Sequence, residues 1–404
     1  MKKIFCLLLV ACLVLSGAAA LADGKVINGG EERDIQIHPA GDNEVEEGIS
    51  PTTGRRLEDV RFDAPDGAAG LAVTGRYMPF MVQITNGDGG TGARAPLYGA
   101  YADVVYETPL YRDGISRISL IFSDIIPEYA GFVRSTRLTH IRIRQEWDCA
   151  YITSGYSDAD VPDELDRLGI TKPNSEKTIK DPGLIYVTDY RSRPWGEYSR
   201  RMTGKGVPAN PDNMVAELAG LMENVVPADY VPKNHAYKFT DEKPQGDDAV
   251  FVEIKISGNK QTWSRLEYDE HTNTYFRYLV QDGTDVEYRE AIPVDLKKTK
   301  VDGEKRYKVS GLEAGAEIDF SNVIVQYVDL DWISSDRPDP TLVGSGNADY
   351  FMGGKHIAGV WQRDDINDRT VFYDNNGNEI ELQRGRTLIV MPDWQRKGSV
   401  SYSD

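Results

Sequence analysis

The chain has 404 residues with 46 basic against 64 acidic side chains, a net charge of −18 and a pI near 4.8. That balance argues against nucleic acid and against adsorption to an anionic membrane by charge alone. The length is that of two domains.

Residues 1–22 read as a secretory signal. Lys2 and Lys3 precede an apolar core from Ile4 to Leu15, and Ala20 and Ala22 form a small-residue cleavage site before Asp23. The apolar run is short for a membrane span, so no transmembrane segment is expected once the signal is removed. Export places the protein outside the cytoplasm, in the cell envelope or secreted. Removal of the two lysines takes the charge from −18 to −20. Cys6 and Cys12 leave with the signal, so Cys149 has no disulfide partner and reads as a buried, inert thiol. No Cys/His cluster has zinc spacing, and neither a metal nor a cofactor is expected.

Residues 23–72 are expected to form an acidic, disordered tether. Residues 23–70 hold twelve acids against five basic side chains with no sustained apolar period, and such a stretch lacks the apolar surface to offset the cost of ordering. Residues 73–229 read as an α/β domain. Apolar, β-branched runs at Pro79–Thr85, Ala102–Glu107, Ile115–Ser123, Cys149–Ser154 and Leu184–Asp189 predict strands. Helices are predicted over Ser135–Trp147, from Asp160 to Gly169, and after an Asn210–Pro211 cap, where Met214, Leu218, Leu221 and Val225 keep helical spacing until Pro227. Residues 230–404 change character. Strand-like runs such as Ala249–Ser257, Thr262–Asp269, Asn322–Val328, Lys355–Arg363 and Thr387–Met391 alternate with turn pairs such as Asp282–Gly283 and Asn376–Gly377. This predicts a mostly antiparallel β domain. The expected class is therefore α+β or α/β: an α/β domain with a mixed sheet, followed by a β-rich domain, the two joined stiffly through Pro227 and Pro232.

The segment Gly131–Arg137 is the candidate site. Between 112 and 144 lie six arginines (112, 117, 134, 137, 142 and 144) against Asp113, Asp124 and Glu128, a net of +3 in an acidic chain. A basic island of this kind attracts anions, and the guanidinium fork matches phosphate and carboxylate. Ser135 is positioned to cap the following helix, whose start favours an anion further. Candidate ligand-binding residues are Arg134, Arg137, Arg117 and Ser135, with Asp103, Glu107 and Asn86 beside them.

Other motifs are weaker. Residues 86–94 are glycine-rich but lack the lysine of a phosphate loop. The stretch Asp374–Glu379 lacks the order of a calcium loop and reads as a hairpin turn, while Asp158, Asp160, Asp163 and Glu164 read as the solvated start of a helix. His140 reads as a helix-surface residue, and no serine-nucleophile elbow occurs.

Several of these segments together resemble the YerB-like bacterial envelope proteins, a two-part family of unknown function found chiefly as lipoproteins. In the first part the resemblance rests on Pro79–Ile84, Ala102–Glu107, Gly114–Arg117 and Gly131–Arg137. In the second it rests on Asn322–Tyr327, Val343–Gly346, Gly359–Trp361 and Phe372–Gly377. The chain departs from the family where Ala18 stands in place of a lipid-bearing cysteine, at Thr85–Asn86, where the family commonly has Asp-Asn, and at Pro208–Asn210, where it commonly has Pro-His-Asn. The arginine-bearing part is also loosely similar to LytR-CpsA-Psr phosphotransferases. The expectation is an exported envelope protein that binds a phosphate- or carboxylate-bearing ligand, or an envelope partner protein, through its arginines. The alternative is an envelope enzyme acting on phosphate-linked glycan or lipid intermediates, with Asp103 or Glu107 as base or metal ligand.

Overall fold

The computed structural model describes residues 24–86, 95–156, 160–169, 185–187, 198–233, 235–281, 283–301, 303–396 and 398–404. Residues 1–22, expected as a signal, lie outside them. Strands dominate, in mixed and antiparallel sheets.

The central element is a mixed, 11-stranded sheet. At its middle lie Phe80–Thr85, Val104–Pro109 and Ser116–Phe122, antiparallel neighbours in which every residue is buried. Both faces are covered, which is why these strands read as continuous apolar runs. Side chains alternate between two cores. Val82, Ile84, Val105, Ile118 and Leu120 face one, and Met81, Val104, Tyr106 and Ile121 face the other. The first core is closed by an antiparallel seven-stranded sheet that contributes Val252, Ile254, Leu266, Tyr275 and Val400. The second is closed by helices Leu138–Trp147 and Asp160–Arg167, through Ile141, Ile143, Trp147, Val161 and Leu165. Trp147 is fully buried, donates to the Tyr106 hydroxyl at 3.0 Å and stacks on His235 at 3.8 Å. Truncating such a residue costs about 3–5 kcal/mol.

The two sequence parts do not form two separate sheets. Thr387–Val390 from the second part pairs in parallel with Val104–Glu107 from the first, so the central sheet runs through both. A six-stranded sheet is shared in the same way, with Glu304–Glu317 beside Ser199–Lys205.

The stretch from residue 24 to 72, expected as a disordered tether, is instead held against the body. Lys25–Ile27 pairs antiparallel with the last strand, Ser399–Ser403. Arg33 donates from Nη2 to both carboxylate oxygens of the fully buried Asp349, at 2.8 and 3.0 Å. Ser50 and Thr53 each donate to Asp124 at 2.7 Å, and Leu57–Phe62 is helical. These anchors are polar, and so escape a reading that counts apolar surface. The expected helix after Asn210–Pro211 is also divided. Met214–Glu217 is a strand between Tyr129–Gly131 and Ser199–Arg201, and only Leu218–Asn224 is helical.

Candidate functional site

The arginine cluster forms where strand Ser116–Phe122 begins, beside the loop feeding helix Leu138–Trp147. Arg117 is opposite Thr85 and Thr108 in the sheet. By strand parity its side chain shares a face with Ser119 and Ile121, the face the helix covers. The Arg134 amide donates to the Gln83 carbonyl at 2.8 Å, and the Ser154 amide donates to the Arg134 carbonyl at 3.0 Å, so this loop is held by backbone between two strands. Helix Leu138–Trp147 starts after Arg137, whose amide donates to His140 Nδ1 at 3.0 Å.

Arg117 is 3% exposed and donates from Nη1 to the Ser135 carbonyl at 2.9 Å, while its Nε meets no acceptor. Among the described residues no carboxylate pairs with it. Burial, followed by the charges of Arg134 and Arg137, lowers its pKa to about 9. It therefore remains a cation at neutral pH, held where a cation is disfavoured. Arg134 is a quarter exposed and pairs with Asp212 at 3.2 Å. Arg137 donates to the carbonyls of Asp336 and Thr136 at 3.0 Å, and its Nη2 is 3.9 Å from the Asp336 carboxylate. Among the described residues, Asp212 faces Arg134 and Asp336 faces Arg137.

Ser135 does not cap the helix, since its Oγ donates to the Ser154 carbonyl at 3.0 Å. Glu107 and Asn86 lie across the sheet. Glu107 accepts from Asn86 Nδ2 at 3.0 Å and Ser116 Oγ at 2.5 Å, and it forms a buried ion pair with Arg277. Parity places Glu107 and Ser116 on the face opposite Arg117. Asp103 lies four residues before Glu107, about 13 Å along the strand. Its Oδ2 accepts from the Ser123 amide and hydroxyl and from the Asp124 amide, at 2.6, 2.9 and 2.9 Å. The structure thus brings Arg117, Arg134, Arg137 and Ser135 together and leaves Asp103, Glu107 and Asn86 elsewhere. Sequence reasoning gave no signal for the acidic neighbours, Asp212 and Asp336, which lie in distant turns.

His140 is not on the helix surface. It is fully buried, its Nε2 is 3.2 Å from the Thr108 hydroxyl, and burial with Arg117 and Arg137 holds its pKa well below the usual value. Its Nδ1 accepts from the Arg137 amide, so the neutral ring carries its proton on Nε2. Cys149 is buried and its thiol is pushed up to about 12 by that burial. Asp374 Oδ1 accepts from the amides of Asn376 and Asn378 at 2.8 and 2.9 Å, an Asx-type turn completed by Gly377 at φ 80°. Asp160 pairs with Arg337, and residues 87–94 and Asp158 lie outside the described residues. Among the described residues no helix is long and apolar enough to cross a membrane.

A central mixed sheet built from both halves of the chain, with an arginine cluster at one end of its first-half strands, is the architecture of a two-part protein whose parts share one sheet. Residues 69–209 match the model for the N-terminal domain of a protein of unknown function (DUF3048), and residues 252–389 match the C-terminal domain of the same family. The chain belongs to this YerB-like, two-part family. The crystal structure of the YerB protein from Bacillus subtilis is similar in fold, with a TM-score of 0.59 at 18% identity, covering 88% of this chain and 99% of that chain. A comparison with the curated proteins returns no match.

Proposed function

We propose that the protein is exported to the cell envelope and there binds a phosphate- or carboxylate-bearing ligand, or an envelope partner presenting such a group, through Arg117, Arg134 and Arg137. The observation that carries this reading is Arg117, a buried guanidinium without a carboxylate partner among the described residues and flanked by two more arginines. An anion at this place supplies the missing countercharge, and partly exposed Arg134 gives it a way in. The start of helix Leu138–Trp147 adds partial positive charge of the same sign.

The enzymatic alternative, phosphate-linked glycan or lipid chemistry, needs a base or metal ligand beside the arginines. Asp103 and Glu107 do not fill that role, being engaged elsewhere in the sheet. Binding without turnover is the better-supported reading. The test is calorimetric titration of pyrophosphate, phosphate and acetate into the full chain. Pyrophosphate is expected to bind best, to weaken as salt rises, and to lose about tenfold or more in Arg117→Gln and in Arg134→Gln. Equal affinity in wild type and both variants removes the cluster from the function.

A further inference from the structure

A cavity of about 540 Å³ is lined by residues from the N-terminal half and the C-terminal half of the chain. Arg55 lines it from the N-terminal arm, Tyr101 and Asp103 from the first part, and Thr274, Glu290 and Arg386 from the second. Its size is that of an ordinary small-ligand site.

Its charges are arranged in pairs of both signs. Arg386 pairs with Asp319 and donates to the Ala100 carbonyl, and Arg55 pairs with Asp63 at 3.1 Å. Burial and the neighbouring Arg55 push Arg386 down to about 10, whereas Glu290 and Asp103 act on it in the opposite direction, so these groups form one electrostatic unit. Glu290 is 4% exposed and accepts from the amides of Ala100 and Ala316 at 3.1 and 3.3 Å. Asp103 is 5% exposed, and every hydrogen bond it accepts from the described residues ends on Oδ2. Among the described residues no donor reaches its Oδ1, and Asp103 lines the cavity. Burial raises the pKa of both carboxyl groups, and Asp124 raises that of Asp103 further. A buried carboxylate is costly without a countercharge, and a ligand cation relieves that cost.

We propose that this cavity binds a zwitterion carrying an ammonium and a carboxylate a few bonds apart, that is, a free amino acid or a very short peptide. Arg386 and Arg55 take the carboxylate, and Asp103 Oδ1 with Glu290 takes the ammonium. A purely anionic ligand leaves Asp103 unanswered, and a simple amine leaves the two guanidinium groups unused. Tyr101 and Thr274 then line the space over the side chain. The site is independent of the arginine cluster on the other face of the sheet.

The test is calorimetric titration of the full chain with alanine, alanylalanine, N-acetylalanine and alanine amide. Alanine or alanylalanine is expected to bind, and which of the two binds more tightly separates an amino-acid site from a peptide site. N-acetylalanine lacks the ammonium and alanine amide lacks the carboxylate, so each is expected to bind about tenfold or more weakly. Asp103→Asn keeps the acceptor for Ser123 and Asp124 but turns an amide toward the ammonium, and is expected to lose affinity by a similar factor. Thr274→Trp fills the cavity from a strand position and is expected to abolish binding, with circular dichroism confirming the fold. Binding of N-acetylalanine or alanine amide as tight as that of alanine and alanylalanine, binding undiminished in Thr274→Trp, or no binding of any of the four overturns the proposal.

Discussion

Arg117→Gln is expected to make the unliganded protein more stable while weakening its response to anions. Arg117 is charged at neutral pH and buried beside two other guanidinium groups. The fall of its pKa to about 9, at about 1.4 kcal/mol per pH unit, sets a ceiling of about 5 kcal/mol on the folding free energy this charge costs. Two effects reduce the gain from removing it. The hydrogen bond to the Ser135 carbonyl is lost, worth about 1 kcal/mol, and Arg134 is already a quarter exposed and relaxes toward solvent. A net gain of about 1–3 kcal/mol remains. A lowered folded-state pKa on a base means that the unfolded chain binds more protons, so wild-type stability should rise with pH through and above about 9. The variant should lack that rise. Chemical denaturation at pH 7 and pH 10, with and without pyrophosphate, measures all three quantities. A variant less stable than wild type at pH 7, with an unchanged pH slope, refutes the idea that Arg117 is an uncompensated charge awaiting a ligand.

Three further outcomes are expected. Arg33→Ala should cost about 2–4 kcal/mol in urea denaturation, because it takes the guanidinium from buried Asp349, whose other ion-pair partner among the described residues is His356 at 2.7 Å; a loss under about 0.5 kcal/mol would return residues 24–49 to the status of a loose arm. Glu107→Gln should cost about 3–5 kcal/mol by stranding the fully buried Arg277, and unfolding should stay a single transition, since the pair joins the two sequence parts; two separate transitions would show that the parts fold independently. Asp103→Asn should raise the melting temperature more at pH 8 than at pH 5. Burial and Asp124 raise the pKa of Asp103 in the folded state, so its contribution is present below the ordinary carboxylate range and is lost as pH rises through the elevated value. An equal effect at both pH values would contradict the raised pKa.

The parts of the fold that were legible in the sequence are those fixed by local pattern. Strands at Phe80–Thr85, Val104–Pro109, Ser116–Phe122 and Lys355–Arg363 fall within a residue or two of their apolar runs, because each is buried or alternates in a way the two-residue period reveals. Residues 24–72 were illegible because Arg33, Ser50 and Thr53 hold them through polar contacts with partners 71 or more positions away. Met214–Glu217 fits a helical period as well as a strand, and only pairing with Ser199–Arg201 and Tyr129–Gly131 decides between them. The parallel pairing of Thr387–Val390 with Val104–Glu107 leaves no local trace at all. At the site, the two arginines of Gly131–Arg137 announced themselves by charge. Strand parity alone separates Glu107 from Arg117, a consequence of the two-residue period that their closeness in sequence hides.

The most direct measurement is the anomalous scattering of selenate, a phosphate-shaped dianion, in crystals of the full chain. The expected result is a peak within hydrogen-bond reach of the Arg117 Nε and of Arg134, lost in Arg117→Gln crystals grown and soaked in the same way. Ordered selenate elsewhere with none at Arg117, or an unchanged peak in the variant, contradicts it.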